Sequence, residues 1–216
     1  MIVRQRNLLL TSKSNREVFT EVYVKGLWGI RESRSGNGSN LEQTRTIRGQ
    51  LPVLLRDLGV RKLLDVPCGD FYWLKEVELD VQEYTGGDIV KELIDENRKM
   101  FERPGRSFTV LDIIEDKIPG VDLVLCRDCL VHFSFKDIRS ALDNIKKSSS
   151  TYLLTTTFLR RDKNEDIYTG QWRPLNLQQD PFNFPEPIKL INENCTIDDG
   201  LYADKCLALW RVADLR

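Results

Sequence analysis

Apolar positions along this chain fall into short unbroken runs separated by stretches of helical spacing. The runs "KLLDV" (62–66), "VDLVLC" (121–126) and "TYLLTTTF" (151–158) lack the every-other-residue pattern of a half-exposed strand, as expected of parallel strands covered on both faces. "EYTGGD" (83–88) and "SFTVLD" (107–112) read as two more strands. Between them "IVKELIDENRKMF" (89–101) has helical spacing through Val90, Leu93, Ile94 and Asn97, and "SFKDIRSALDNIKK" (134–147) has it behind a capping Ser134. This βαβ rhythm predicts a doubly wound α/β sheet with helices on both faces. Ahead of it, Ser39-Asn40-Leu41-Glu42 has capping-box form. A helix is expected there with Ile47, Leu51, Leu54, Leu55 and Leu58 inward, kinked or divided by Pro52 and stopped by Gly59. Two final strands, 188–192 and 205–212, have no helix between them and are expected to pair antiparallel.

Composition narrows this little. A chain of 216 residues, 41% hydrophobic, can bury one substantial core, and a single domain over 1–216 is expected, with 1–60 as an N-terminal cap and helix and 61–216 as the core. With 32 basic against 33 acidic residues there is no global field to attract nucleic acid or an anionic membrane. The longest N-terminal apolar run, "LLL" at 8–10, is too short for a signal-peptide core or a membrane span, so a cytoplasmic location is expected. Five cysteines, an odd number, fit reduced thiols better than a disulfide framework.

The candidate chemistry lies at the strand ends, where open parallel sheets bind their ligands. Asp65, Asp88 and Asp112 end the first three strands, and Asp128 follows the fourth by two positions. One such Asp is ordinarily a helix cap or turn former; four in succession suggest a site. The turn Asp65-Val66-Pro67-Cys68-Gly69-Asp70 combines a residue of fixed φ with one that permits close backbone approach. Asp70 is placed either to cap a helix "FYWLKEV" or to reach a ligand.

With these residues, positions 62–212 resemble the class I, Rossmann-like S-adenosylmethionine-dependent methyltransferases, whose seven-stranded sheet ends in an antiparallel pair. The resemblance implies S-adenosyl-L-methionine as cofactor, Asp65, Pro67 and Gly69 beneath its methionine part, Asp88 on the ribose hydroxyls, and Asp112 facing the adenine between Ile89 and Ile113. Trp28, Arg31 or Arg34 of the cap and Arg127 after the fourth strand are assigned to the same pocket. The turn departs from the family's acid-x-Gly-x-Gly-x-Gly pattern, since only Gly69 remains of three glycines.

"CRDCLVHF" (126–133) has metal-like spacing, but no second pair completes a four-ligand zinc site, so no metal is expected. His132, the only histidine, lies on the rim past the fourth strand and is either a structural group or the general base; Asp128 and Asp70 are the alternatives. If His132 is the base, the acid limb of the rate should follow an imidazole near its unperturbed ~6.5. Segment 160–187 has no period and is expected to be an acceptor-side insertion, with Tyr168 and Trp172 stacking on a sugar, or else satellite core together with Phe182 and Phe184.

The variant turn behind "LWGIRESRSGNGS" is similar to small methyltransferases that accompany polysaccharide-building enzymes, among them the methyltransferase part of a chlorovirus glycosyltransferase protein. That likeness implies O-methylation of a sugar hydroxyl of a glycan, rhamnose being one candidate, and fusion to or association with glycosyltransferases. A small phenolic or carboxylate acceptor, or a non-catalytic cofactor-binding partner subunit, are the other readings. A nicotinamide enzyme would need Gly-x-Gly-x-x-Gly where "GDFYWL" stands.

Overall fold

The computed structural model describes residues 13–29 and 32–215; the apolar run 8–10 and Arg31 lie outside them. Seven strands, β1 (Lys62–Asp65), β2 (Glu83–Asp88), β3 (Arg106–Val110), β4 (Leu123–Cys126), β5 (Tyr152–Phe158), β6 (Lys189–Asn192) and β7 (Lys205–Arg211), form one sheet. Their order is β3-β2-β1-β4-β5-β7-β6. β1 to β5 run parallel, and β7 is antiparallel to both β5 and β6, as the missing last helix predicted.

Neighbouring residues of the central strands enter opposite cores, which is why these strands show no alternation. Leu64, Val124 and Leu153 face one core, closed by Ile138, Ala141, Leu142 and Ile145 of a helix at Phe135–Lys147. Leu63, Leu125 and Leu154 face the other, closed by Ile47, Leu51, Leu54 and Leu55 of a helix at Arg45–Asp57 and by Leu93 and Ile94 of one at Lys91–Phe101. Each such fully buried aliphatic side chain contributes roughly 2 kcal/mol. In chain order the helices are α1 (Asn15–Lys25), α2 (Arg45–Asp57), α3 (Lys91–Phe101) and α4 (Phe135–Lys147). All five cysteines are free and buried.

Local expectations fail where tertiary contacts compete. The capping box at Ser39 does not form: 37–39 is a single 3₁₀ turn and α2 begins only at Arg45, with Asn40 Oδ1 accepting the Gln43 amide at 2.8 Å. Pro52 leaves α2 undivided, because the helix is held through Leu51, Leu54 and Leu55, which the core buries. "FYWLKEV" makes only a 3₁₀ turn, Leu74–Glu76; Phe71 adopts φ 56°, and the burial of Phe71, Trp73 and Leu74 fits no single helix face. Segment 160–187 contains no helix or strand and is held by polar side chains. The Asn164 side chain bonds the Asn176 backbone twice, donating to its carbonyl and accepting its amide at 2.8 Å each, and the Arg173 guanidinium donates to the carbonyls of Leu130, Phe133 and Glu165. Phe182 and Phe184 are core here, packed edge-on to Phe135 and Trp210.

Candidate active site

The strand order turns back between β1 and β4, and there the carboxyl ends of β1, β2 and β4 open into a cleft of about 500 Å³. That size suits a small organic ligand. Each residue assigned to the site from sequence lines it, apart from Tyr168 and the undescribed Arg31.

One half of the cleft is acidic. Asp88 ends β2 with its side chain turned back on the neighbouring turn: Oδ1 accepts the Val90 amide at 3.0 Å and Oδ2 the Gly69 amide at 3.2 Å. These two bonds leave the carboxylate with acceptor capacity in the wall of the cleft. Burial pushes Asp88 up to about 6 against the pull of those amides. Asp65 accepts the Tyr84 hydroxyl at 2.8 Å, and burial, reinforced by the charge of Asp88, pushes it up to about 7. Asp112 accepts the Ile114 amide at 2.8 Å and is also raised by burial, with Ile89 and Ile113 beside it in the cleft wall. Three desolvated carboxylates with spare acceptor capacity, the charge of Asp88 acting on Asp65, fit a ligand bearing hydroxyl donors and positive charge.

The turn after β1 is shaped by the cap. A Cβ on Gly69 would stand 2.2 Å from Ser35 Oγ, and φ there is 54°. Glycine is thus required by the approach of the cap loop, where the sequence suggested approach of a ligand. Asp70 is neither a helix cap nor a free acid: its oxygens accept Ser33 Oγ at 2.9 Å, Arg34 N at 2.7 Å, Ser35 Oγ at 3.1 Å and Tyr72 N at 3.3 Å. It clasps the cap to the turn, three of the four bonds falling on Oδ1 and one on Oδ2. Arg34 lies at the rim, its guanidinium over the Tyr23 ring at 4.7 Å and donating to the Tyr23 hydroxyl at 3.1 Å.

Beyond β4, two cations and two anions form a closed set. Arg127 donates from Nη2 to Glu193 at 2.6 Å and to the Gly38 carbonyl at 2.7 Å, while Lys205 Nζ meets Asp128 at 2.6 Å and Glu193 at 3.3 Å. Burial alone would raise Asp128, but Lys205 and Arg127 hold it well below the usual carboxylate range, which keeps it ionised and makes it a weak proton acceptor. Arg127, assigned to the cofactor from sequence, has its guanidinium occupied in tying the cap loop to the sheet. Glu193 and Lys205 were not anticipated. The one available signal was a lysine opening the otherwise apolar run "KCLALW".

His132 sits at the edge of the other, aromatic half. Its Nδ1 lies 2.9 Å from the Gln171 carbonyl oxygen. A carbonyl only accepts, so Nδ1 carries the proton and Nε2 holds the lone pair. Among the described residues no hydrogen bond to Nε2 is seen, and His132 lines the cleft. Burial pushes His132 down to about 4, against the Gln171 carbonyl and the charge of Asp128. Gln171, not Asp128, therefore orients the ring. Trp172 and Tyr202 line the same cleft, their rings 5.0 Å apart and near-perpendicular, with Phe158 against both. Trp172 is 41% exposed and lines the cleft; Tyr168 is 46% exposed but lies off the cleft, because its backbone closes the tight turn to Gln171. Tyr202, missed from sequence, takes the place expected of Tyr168. Cys126 is core and Cys129 lines the cleft; among the described residues no group of three or more His, Cys, Asp or Glu is arranged to hold a metal.

No family model and no curated protein matches the chain. Solved structures do. The N-methyltransferase NodS from Bradyrhizobium japonicum WM9, in complex with S-adenosyl-L-homocysteine, aligns over 88% of this chain and 98% of its own, with TM-score 0.62 and 16% identity. Magnesium protoporphyrin IX methyltransferase (ChlM) from Synechocystis PCC 6803, with bound S-adenosylmethionine, aligns over 92% and 97%, with TM-score 0.60 and 11% identity. The methyltransferase domain of bacterial CtHen1 aligns over 80% and 100%, with TM-score 0.55 and 12% identity. The chlorovirus likeness finds no support among these comparisons. Among the described residues no helix is long and apolar enough to cross a membrane. In strand order, antiparallel ending and the position of its cleft, the chain has the Rossmann-like fold of the class I S-adenosylmethionine-dependent methyltransferases.

Proposed function

We propose that this protein is an O-methyltransferase that uses S-adenosyl-L-methionine. The observation that carries this is His132: its Nδ1 faces the Gln171 carbonyl, which leaves Nε2 as the unprotonated nitrogen, in the wall of a cleft that three buried carboxylates and a set of aromatic rings also line. Asp88 would take the ribose hydroxyls on its two spare lone pairs, Asp112 with Ile89 and Ile113 the adenine, and Asp65 the charged methionine end; this agrees with the raised proton affinity of the buried acids. Bound there, the cofactor supplies a methyl group on a positively charged sulfur. The protein's part is to align the acceptor and to receive its proton at His132 Nε2, a step worth about 10²–10⁴-fold.

Phe158, Trp172 and Tyr202 present aromatic faces and edges, which suit the C–H face of a sugar ring; a sugar hydroxyl of a glycan is the acceptor we favour. A phenolic ring would pack on the same wall and is the second reading. The test is kcat against pH at saturating cofactor for wild type and His132→Ala, over panels of saccharide and phenolic acceptors. With His132 down at about 4, the acid limb should lie near that value, well below the ~6.5 of an unperturbed imidazole. His132→Ala should lower kcat by about 10²-fold or more and abolish the limb. An acid limb that persists unchanged in the variant removes His132 as the base.

A further inference from the structure

We propose that Trp28, carried by the N-terminal cap, is a positioning residue for His132: its indole fixes the plane of the imidazole so that Nε2 presents its lone pair to the acceptor. This rests on the reading of His132 as the base, and it moves Trp28 from the cofactor role that the sequence suggested.

The two rings stack with centroids 4.5 Å apart and planes 26° from parallel. The Gln171 carbonyl holds the ring at Nδ1, and Trp28 covers one face. A plane gripped at one edge and one face cannot turn about χ2, so the lone pair keeps one direction. Neither contact alone does this, since a single hydrogen bond leaves the ring free to swing about it. Trp28 is itself braced. Phe19 lies 6.0 Å from it and reaches on to Phe133 at 5.9 Å, which ties the indole to the segment that carries His132. Gly36 passes behind it with φ 98°, where an added Cβ would come within 3.3 Å of Trp28 Cβ. The loop bearing Gly36 is pinned by Asp70 through Ser33, Arg34 and Ser35 and by Arg127 through Gly38. The cap is thereby built into the catalytic unit.

The charged groups acting on His132 are Asp128 after β4, Arg173 in segment 160–187 and Lys205 at the start of β7. Asp128 favours the protonated ring and the two cations oppose it. Removal of Trp28 changes none of these charges; it admits water to the imidazole face and frees the ring to rotate.

Because His132 is the only histidine, ¹⁵N-histidine NMR reads it without ambiguity. In wild type a titration midpoint of about 4 and the Nδ1–H tautomer alone are expected. In Trp28→Ala the midpoint should rise by about one pH unit or more toward ~6.5, and the Nε2–H tautomer should appear. Trp28→Phe should stay near wild type. Trp28→Leu, apolar but without a flat ring face, serves if the alanine variant does not fold, with the alanine expectation. Calorimetry with S-adenosyl-L-homocysteine should find affinities within about three-fold for all variants. An unchanged midpoint and tautomer in a folded Ala or Leu variant overturn the proposal. So does an affinity loss beyond about ten-fold with an unchanged histidine signal, which would return Trp28 to the cofactor. The titration needs no acceptor and no turnover, so failure of His132 as the base, read from His132→Ala rates, is a separate result.

Discussion

Asp88→Asn separates the acidic half of the cleft from the rest of the site. Each Asp88 oxygen spends one lone pair on a backbone amide, Val90 at 3.0 Å and Gly69 at 3.2 Å, and keeps one for a ligand. Asparagine preserves one acceptor but sets an amino group against the other amide, so one local bond is lost and one ligand acceptor becomes a donor. A hydrogen bond to a charged group is worth about 1.5–3 kcal/mol. Losing one to a ribose hydroxyl, with the mismatch beside it, should cost about 3 kcal/mol, or ~100-fold in Kd for S-adenosylmethionine. The pH dependence sharpens the test. Asp88 and Asp65 rise from 3.8 to about 6 and about 7 in the folded chain. Their contribution to ligand-free stability is therefore full below about 4 and lost as pH rises through those two values. Cofactor binding runs the opposite way, because it needs both carboxylates ionised. Affinity should climb with pH and level off above about 7, and binding between the two values should release protons. In Asp88→Asn the Asp88 part of that release should vanish, and Asp65, relieved of its charged neighbour, should titrate lower. Calorimetry in two buffers of different ionisation enthalpy measures both quantities. Unchanged affinity in a folded variant, or no proton release by wild type in that window, would refute the reasoning.

Trp172→Ala should raise acceptor KM about ten-fold with cofactor affinity near normal, whereas Tyr168→Ala, off the cleft, should leave steady-state kinetics within about two-fold; equal effects would contradict this placement of the acceptor wall. Glu193→Gln leaves Arg127 and Lys205 buried with Asp128 as their one remaining anion, and breaking such a set costs about 3–5 kcal/mol. The melting temperature should fall by roughly 10 °C, and scanning calorimetry that finds almost no change would show that the four charges do not act together.

How much of this was legible in sequence differs by kind of residue. The acids at the strand ends could be read because each belongs to its own strand, and the strand's position along the chain also fixes its place at the carboxyl edge of the sheet. The surroundings of the turn residues were hidden for the opposite reason. Asp70 sits beside Gly69 in sequence, yet three of the groups that bond its carboxylate are 35 to 37 residues away in the cap. Tyr168 and Tyr202 are both aromatic among polar neighbours, and nothing local tells which one a patternless segment will bring to the cleft.

The sheet and its layers follow from the order of residues along the chain. Apolar runs without alternation demand burial on both faces, helical spacings between them supply the covering layers, and the absent last helix makes the final pair antiparallel. These are properties of consecutive residues, set by the periods of strand and helix. The hydrogen-bond partners and charges around each candidate side chain come from contacts between segments far apart in the chain. The tautomer of His132 is set by Gln171, 39 residues on, and one face of its ring is covered by Trp28. Asp128 is paired with Lys205, 77 residues on. Proton affinity and hydrogen-bond capacity depend on what surrounds a group in space, and in this fold those surroundings come from cap, insertion and last strand, which are distant in the chain and adjacent at the cleft.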